Sequence, residues 1–231
     1  MSDSRFSRVI SVLTAPAKTF QAIAERPTFV VPLILLALLG AAVVNVTFTK
    51  VDPNDFVRSM EERGQQVPPN MSGDTFLTFA RWGGTVGALV IGPLTYSIVA
   101  LLFMVLLRLF GSDIDYVRSL SVTTHGFVPF GLAALIGIPV ALARDSISLE
   151  DAQGGQFLQS NLGVLAGEDA GHVVKALLSS VDVFSIWCIV LLAIGYRIVG
   201  KVSKGAAWGA VLAIWLVGVV IKVGITALTM K

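Results

Sequence analysis

The chain has 231 residues and a formal charge of +2; 55% of its residues are hydrophobic and only 14% are charged. That balance lies well beyond ordinary globular composition and excludes most soluble-enzyme classes. The single cysteine, Cys188, excludes an intramolecular disulfide and leaves the redox compartment unreadable.

The first segment, 1–26, reads as a cytoplasmic amphipathic piece. Phe6, Val9, Ile10 and Leu13 fall at three- and four-residue spacing with Arg8 among them, and after Pro16 the pattern resumes with Phe20 and Ile23. Thr14 is expected to cap the second half, and Pro16 fits its first turn, where a missing N–H does no harm. The segment is expected to lie in the cytoplasmic interface; packing against the bundle ends is the other reading, and the two are compatible.

Five long apolar stretches follow, at 27–48, 82–109, 120–142, 181–199 and 206–228. Each is near or above the roughly 20 residues a helix needs to cross about 30 Å of hydrocarbon. Each is nearly free of charge. They predict an all-α, polytopic membrane protein with five transmembrane helices plus the N-terminal amphipathic helix, the stretch 27–231 forming one membrane domain. The first stretch starts too late and runs too long for a cleaved signal peptide, so it reads as a retained helix.

Two longer polar segments separate these stretches. In the first, a short helix is predicted near 55–63 with Asp52 or Asn54 as its cap, then a break over 64–73 holding Pro68 and Pro69, then a helix leading into Trp82. Asn70, Met71 and Ser72 match a glycosylation sequon, a match common by chance. The second, 143–180, begins polar around Gly154 and Gly155 and regains helical spacing at Val173, Val174, Leu177 and Leu178. Those apolar positions are expected to seat it on the membrane surface or over the bundle.

Orientation follows from the basic residues. With the N-terminus cytoplasmic, nine lysines and arginines fall in the short cytoplasmic pieces and at span ends, against seven spread over the longer outer segments. Crowding in short links is where the positive-inside bias acts. The C-terminus is then outside.

Few ionisable residues reach membrane depth, where a transporter or intramembrane enzyme would carry them. Lys222 lies inside the fifth stretch, some six residues from its end, and its stem can snorkel to the interface. His125, beside Thr123 and Thr124, is read as a histidine bonded to a carbonyl near the headgroups rather than a pH-sensitive group. Asp182, with Ser180, suits the start of the fourth stretch. Asn45 and Thr47 can bond between helices. No zinc-protease helix signature, nucleophile elbow or phosphate-binding lysine loop is present, and two histidines and one cysteine far apart do not suggest a metal site. Neither catalysis, nor a cofactor, nor a nucleic-acid partner is expected.

Small residues four apart, Gly83 and Gly87, Ala133 and Gly137, Gly205 and Gly209, allow close backbone approach and imply a tight bundle more safely than a dimer. Pro93, Pro129 and Pro139 lie within stretches and free carbonyls or bend helices.

Several runs carry a family resemblance. Val12-Leu13-Thr14-Ala15-Pro16-Ala17-Lys18-Thr19-Phe20, followed by Ile23, Glu25, Arg26 and Pro27, resembles the start of the Yip1 domain in prokaryotic proteins. Asp182 to Trp187, Leu191 to Gly195 and Ser203 to Ala207 are similar to that family's fourth and fifth helices, and Ser119 to Val122 with Val128 and Pro129 to its link into the third. The resemblance covers nearly the whole chain. It implies a five-helix protein without a catalytic centre, of the bacterial inner-membrane kind. Fewer than thirty residues precede the first stretch, so the trafficking role of eukaryotic relatives, which carry a longer cytosolic region, is not expected to transfer. Asp182, Trp187 and Gly195 would be family positions, with structural roles first.

Two functions from different classes remain. One is a non-catalytic membrane adaptor or accessory subunit whose partners are the bilayer and other membrane proteins, bound through helix faces and the N-terminal segment. The alternative is a small transporter or channel-like protein using the kinked second and third helices, with His125 or Lys222 in its pathway.

Overall fold

Pro16 starts a helix that leans back across the chain's own bundle, and its surroundings explain the N-terminal architecture. The computed structural model describes residues 5–62, 64, 72–154, 158–167 and 170–229. Helices α1 (Arg5–Thr14) and α2 (Pro16–Glu25) are joined at Ala15, and α2 packs on α10 (Val183–Val199) and α6 (Tyr116–Gly126). Val9, Val12, Phe20 and Ile23 are buried in the bundle, so this face meets protein rather than lipid. Of the two compatible readings, packing on the bundle takes up much of the apolar face, while Phe6 and Ile10 remain exposed. Thr14 does not cap α2; it ends α1, and Ala15 offers no side-chain cap. The Ser11 and Thr19 hydroxyls bond across the joint instead, at 2.9 Å. Two guanidinium groups satisfy carbonyls at the end of α2: Arg8 donates to Arg26 O at 2.7 Å and Arg118 to Ala24 O at 3.2 Å.

Helix α3 (Val30–Phe48) packs on α5 (Gly73–Leu109) and α7 (Val128–Ala143). Asn45 bonds across to Thr85 at 3.2 Å, as the sequence suggested, but Thr47 turns back to Val43 O and Val44 O of its own helix. Helix α4 (Pro53–Glu62) begins after Asp52, whose carboxylate accepts from Asn54 N at 2.7 Å. The predicted Pro68–Pro69 break, most of the sequon and Gly155 lie outside the described residues.

The predicted helix before Trp82 and the second apolar stretch form one continuous rod, α5, of 37 residues, started by Ser72. Pro93 does not interrupt it. After the proline, Thr95 donates to Ile91 O and Ser97 to Pro93 O, each at 2.8 Å, back-bonds of helix hydroxyls to the carbonyls four residues earlier. The third stretch does break. It divides at Phe127 into α6 and α7, because Pro129 has no N–H to carry the helical ladder past this point.

After α7 come α8 (Leu149–Gly154), a single 3₁₀ turn (Leu162–Leu165), α9 (His172–Leu178), α10 and α11 (Lys204–Thr229). The described residues contain no strand. Among them, four helical stretches are long and apolar enough to cross a membrane: Val30–Phe48, Gly73–Leu109, Tyr116–Ala143 and Lys204–Leu228. The expected fourth span is the shorter α10, with 17 residues.

One core joins α1, α2, α5, α6, α10 and α11 around Phe20, Phe103, Leu107, Leu191 and Tyr196. A second cluster sits at the opposite face, where Val51, Phe56 and Ile147 from the polar segments cover Leu77 and Ala141 at the helix ends. The polar segments thus build their apolar cluster jointly with the bundle.

Two of the three small-residue pairs do not serve packing inside the chain. A Cβ added at Gly83 or Gly209 would meet nothing within 4 Å, one at Gly87 only Ile91 of the same helix, and one at Gly205 only the neighbouring Ser203. Gly137 is buried, and Gly84, beside the first pair, is the position that packs, on Val44 at 3.0 Å.

Candidate functional site: a cavity with a polar mouth

Helices α10 and α11 each turn one face toward a shared space. On α11 these are Val211, Ile214, Trp215, Gly218, Val219 and Lys222, at the three- and four-residue spacing that keeps side chains on one face. On α10 they are Phe184, Ser185, Cys188, Ile189 and Leu192, below Asp182. Val99 and Phe103 of α5 and Phe127, Phe130 and Ala133 around the α6–α7 break supply the facing wall. The cavity measures about 490 Å³, inside the roughly 300–1,000 Å³ range of small-molecule sites.

Its two ends differ in chemistry. Towards the middle of the bundle every lining residue is apolar apart from the buried Cys188. The mouth is polar, lined by Ser160, Asn161, Ser179, Ser180, Asp182, Ser185 and Lys222. Backbone pairing builds this rim: Leu162 N donates to Val181 O and Val183 N to Ser160 O, an isolated antiparallel bridge centred on Asn161 and Asp182. Gln159 adopts φ 51°, a left-handed conformation uncommon outside glycine and asparagine, where the chain turns between Leu158 and Ser160 on the rim.

Asp182 holds α10 in place. Its carboxylate accepts from Phe184 N at 2.8 Å and Ser185 N at 3.1 Å, while the Ser185 hydroxyl accepts from Asp182 N at 3.0 Å, a reciprocal capping box. The Ser160 hydroxyl donates to the remaining carboxylate oxygen. Lys222 reaches the same rim and donates to the Ser179 hydroxyl at 2.8 Å.

His125 stands elsewhere. It is fully buried in α6, with Nδ1 2.9 Å from Ser121 O and with Nε2 unpartnered among the described residues. A polar stripe runs beside it along α6. Tyr196 of α10 bonds that stripe through Thr123 at 2.7 Å and Ser119 at 3.0 Å, with its ring against Phe103. Gly195 lies under Phe20, Trp187 packs against the main core, Pro16 opens α2 and Pro129 sits in the first turn of α7. The structure therefore brings Asp182 and Lys222 together and leaves the other sequence candidates apart. Ser160, Ser179, Trp215 and Gly218 were not singled out. For Trp215 and Gly218 the signal was available, since they share the Lys222 face of α11; for Ser160, 22 residues before Asp182, only the tertiary fold makes the link.

No group of three His, Cys, Asp or Glu that could hold a metal occurs among the described residues. The arrangement can do two things chemically: accept apolar matter between helices, and present one ammonium and several hydroxyls at the entrance.

Several apolar helices, few charges at membrane depth and a cavity open among them define a multi-pass membrane protein. The chain belongs to the Yip1 domain family, whose match covers residues 10–225. It is similar to the membrane protein YknW of Bacillus subtilis (strain 168), with 26% identity over 213 residues, which covers 92% of this chain and 86% of the relative. No solved structure matches it.

Proposed function

We propose that this chain is a non-catalytic adaptor or accessory subunit that binds other membrane proteins through its helix faces. The observation that carries the reading is the outward display of Gly83 and Gly87 on α5 and of Gly209 on α11, where no neighbouring helix among the described residues uses the close approach they allow. In this reading α10 is a fifth span, at the short end of the roughly 17–25 residues that suffice. The N-terminus is then cytoplasmic, the C-terminus outside, and the bacterial inner membrane the setting.

The transporter alternative asks for a route across the bundle. The cavity's innermost residue on α11, Val211, lies seven residues from the start of that helix at Lys204, so about 10 Å of packed helix separates it from the N-terminal face. That geometry favours a binding role over conduction.

The test is capture of the tagged full chain from native membranes in mild detergent, with quantitative mass spectrometry against an unrelated five-span control. A near-stoichiometric membrane-protein partner is expected, and Gly83→Leu with Gly87→Leu, or Gly209→Leu, should release it while thermal unfolding stays unchanged. A chain that comes down alone, or glycine variants that keep the partner, would overturn the reading.

A further inference from the structure

We propose that the cavity between α10 and α11 is a phospholipid site, one acyl chain lying along its apolar wall and the phosphate resting on Lys222. The proposal is independent of the partner reading. Its first support is depth. Lys222 and Val211 mark the two ends of the lining on α11 and are eleven residues apart, about 16 Å along the helix, or half of a hydrocarbon core of about 30 Å. The cavity is therefore a slot about 16 Å long across the middle of α11, polar at one end and apolar along the rest, the same order as a lipid.

The second support is the state of the two charges at the mouth. Asp182 points its carboxylate at its own helix start and at Ser160, where capping N–H groups and a hydroxyl compensate it. Lys222 gives one of its three N–H bonds to Ser179 and feels the Asp182 charge across the rim, and no second hydrogen bond from its ammonium occurs among the described residues. The neighbouring Ser179 and Ser180 hydroxyls give their protons to Ala176 O, at 3.1 and 2.8 Å, so the ammonium is the donor left for an anion. A phosphate monoanion matches it through charge-assisted hydrogen bonds. The third support is access. Phe130 and Gly218 line the cavity and are exposed on the lipid-facing side of the bundle, so a chain can enter sideways from the leaflet without crossing the polar rim.

The full chain, delipidated in mild detergent, is titrated with dipalmitoyl phosphatidylethanolamine, with dipalmitoylglycerol and with inorganic phosphate, and adducts are counted by native mass spectrometry. One phospholipid per chain is expected, bound at least tenfold more tightly than the diacylglycerol, with no adduct from phosphate alone. Lys222→Met should weaken phospholipid binding by about tenfold, the loss of one charge-assisted bond, and leave diacylglycerol binding unchanged. Gly218→Phe, at a position where a Cβ meets nothing within 4 Å, should block the cavity and remove the adduct while the unfolding temperature holds. Equal binding of phospholipid and diacylglycerol would overturn the proposal, as would an adduct from phosphate alone or full binding by Lys222→Met. Lys222→Met removes a charge and packs no new bulk, so that outcome stands even if Gly218→Phe fails to fold.

Discussion

The ring of Phe20 lies against the backbone of Gly195: a Cβ at 195 would stand 2.8 Å from Cε1 and 2.9 Å from Cζ of that ring, and 2.7 Å from Val122 Cγ1. Gly195 is thus the point where α2 and α6 both close onto α10, and the absence of a side chain there lets the N-terminal pair dock.

Gly195→Ala should destabilise the chain. Forcing a methyl into packed contacts costs about 1–3 kcal/mol, against a helix-propensity gain of at most about 1 kcal/mol. In a Phe20→Ala background the penalty should shrink without vanishing, because Val122 keeps its share. Denaturant unfolding of the two single variants and the double variant measures the coupling, and an unchanged penalty would refute the contact's role.

Tyr196→Phe should cost about 1 kcal/mol, in keeping with one buried hydrogen-bonding group in a membrane bundle. The loss stays modest because Ser119 also donates to Ala100 O at 2.6 Å and Thr123 to Ser119 O at 3.0 Å, so neither hydroxyl is orphaned. The same unfolding experiment checks it.

Asp182→Ala removes the cap of α10 and the acceptor of the Ser160 hydroxyl together. A lost cap alone costs about 0.5–2 kcal/mol. Hydrogen exchange should accelerate at Phe184 and Ser185, whose N–H groups the carboxylate holds, and at residues 160–162 that pair with the same stretch. Protection unchanged in both places would contradict the role given to this carboxylate.

Asp115, in the link between α5 and α6, sets an acid limit. Partial burial pushes its carboxyl up, but the backbone N–H and the guanidinium of Arg118, with Val117 N–H, outweigh that and hold it below the usual carboxylate range. A group lowered in the folded state contributes stability above its unfolded value and loses it as pH falls through the folded value. The contribution should therefore fade from about pH 4 downward. Asp115→Asn should flatten that part of the stability profile and leave the neutral region's slope alone.

The apolar stretches were legible because lipid demands length and uniform hydrophobicity, and both are one-dimensional properties of sequence. Boundaries failed where local chemistry competed: Pro129 divided a stretch that hydropathy reads as whole, while the helix predicted before Trp82 ran into the next stretch without a joint. The destination of the N-terminal apolar face was open, since Phe20 and Ile23 have the same spacing whether they face lipid or Gly195. The cavity was hidden for a related reason. Asp182 and Lys222 were both visible, yet nothing in their sequence separation says that two helices and a returning link bring them to one rim.

The length of α5 has a further consequence. Its 37 residues make a rod of about 55 Å, and even a tilt of 40° leaves a vertical reach of about 42 Å, beyond a hydrocarbon core of about 30 Å. The rod must extend beyond the hydrocarbon core, and the second apolar cluster braces the end that begins at Ser72. The helix is then a strut that lifts its Ser72 end clear of the hydrocarbon. A cysteine at position 72, in a Cys188→Ala background, would stay reachable by an impermeant thiol reagent at any usual tilt. Labelling of intact cells would put that face outside, as proposed; labelling only after the membrane is opened would reverse it.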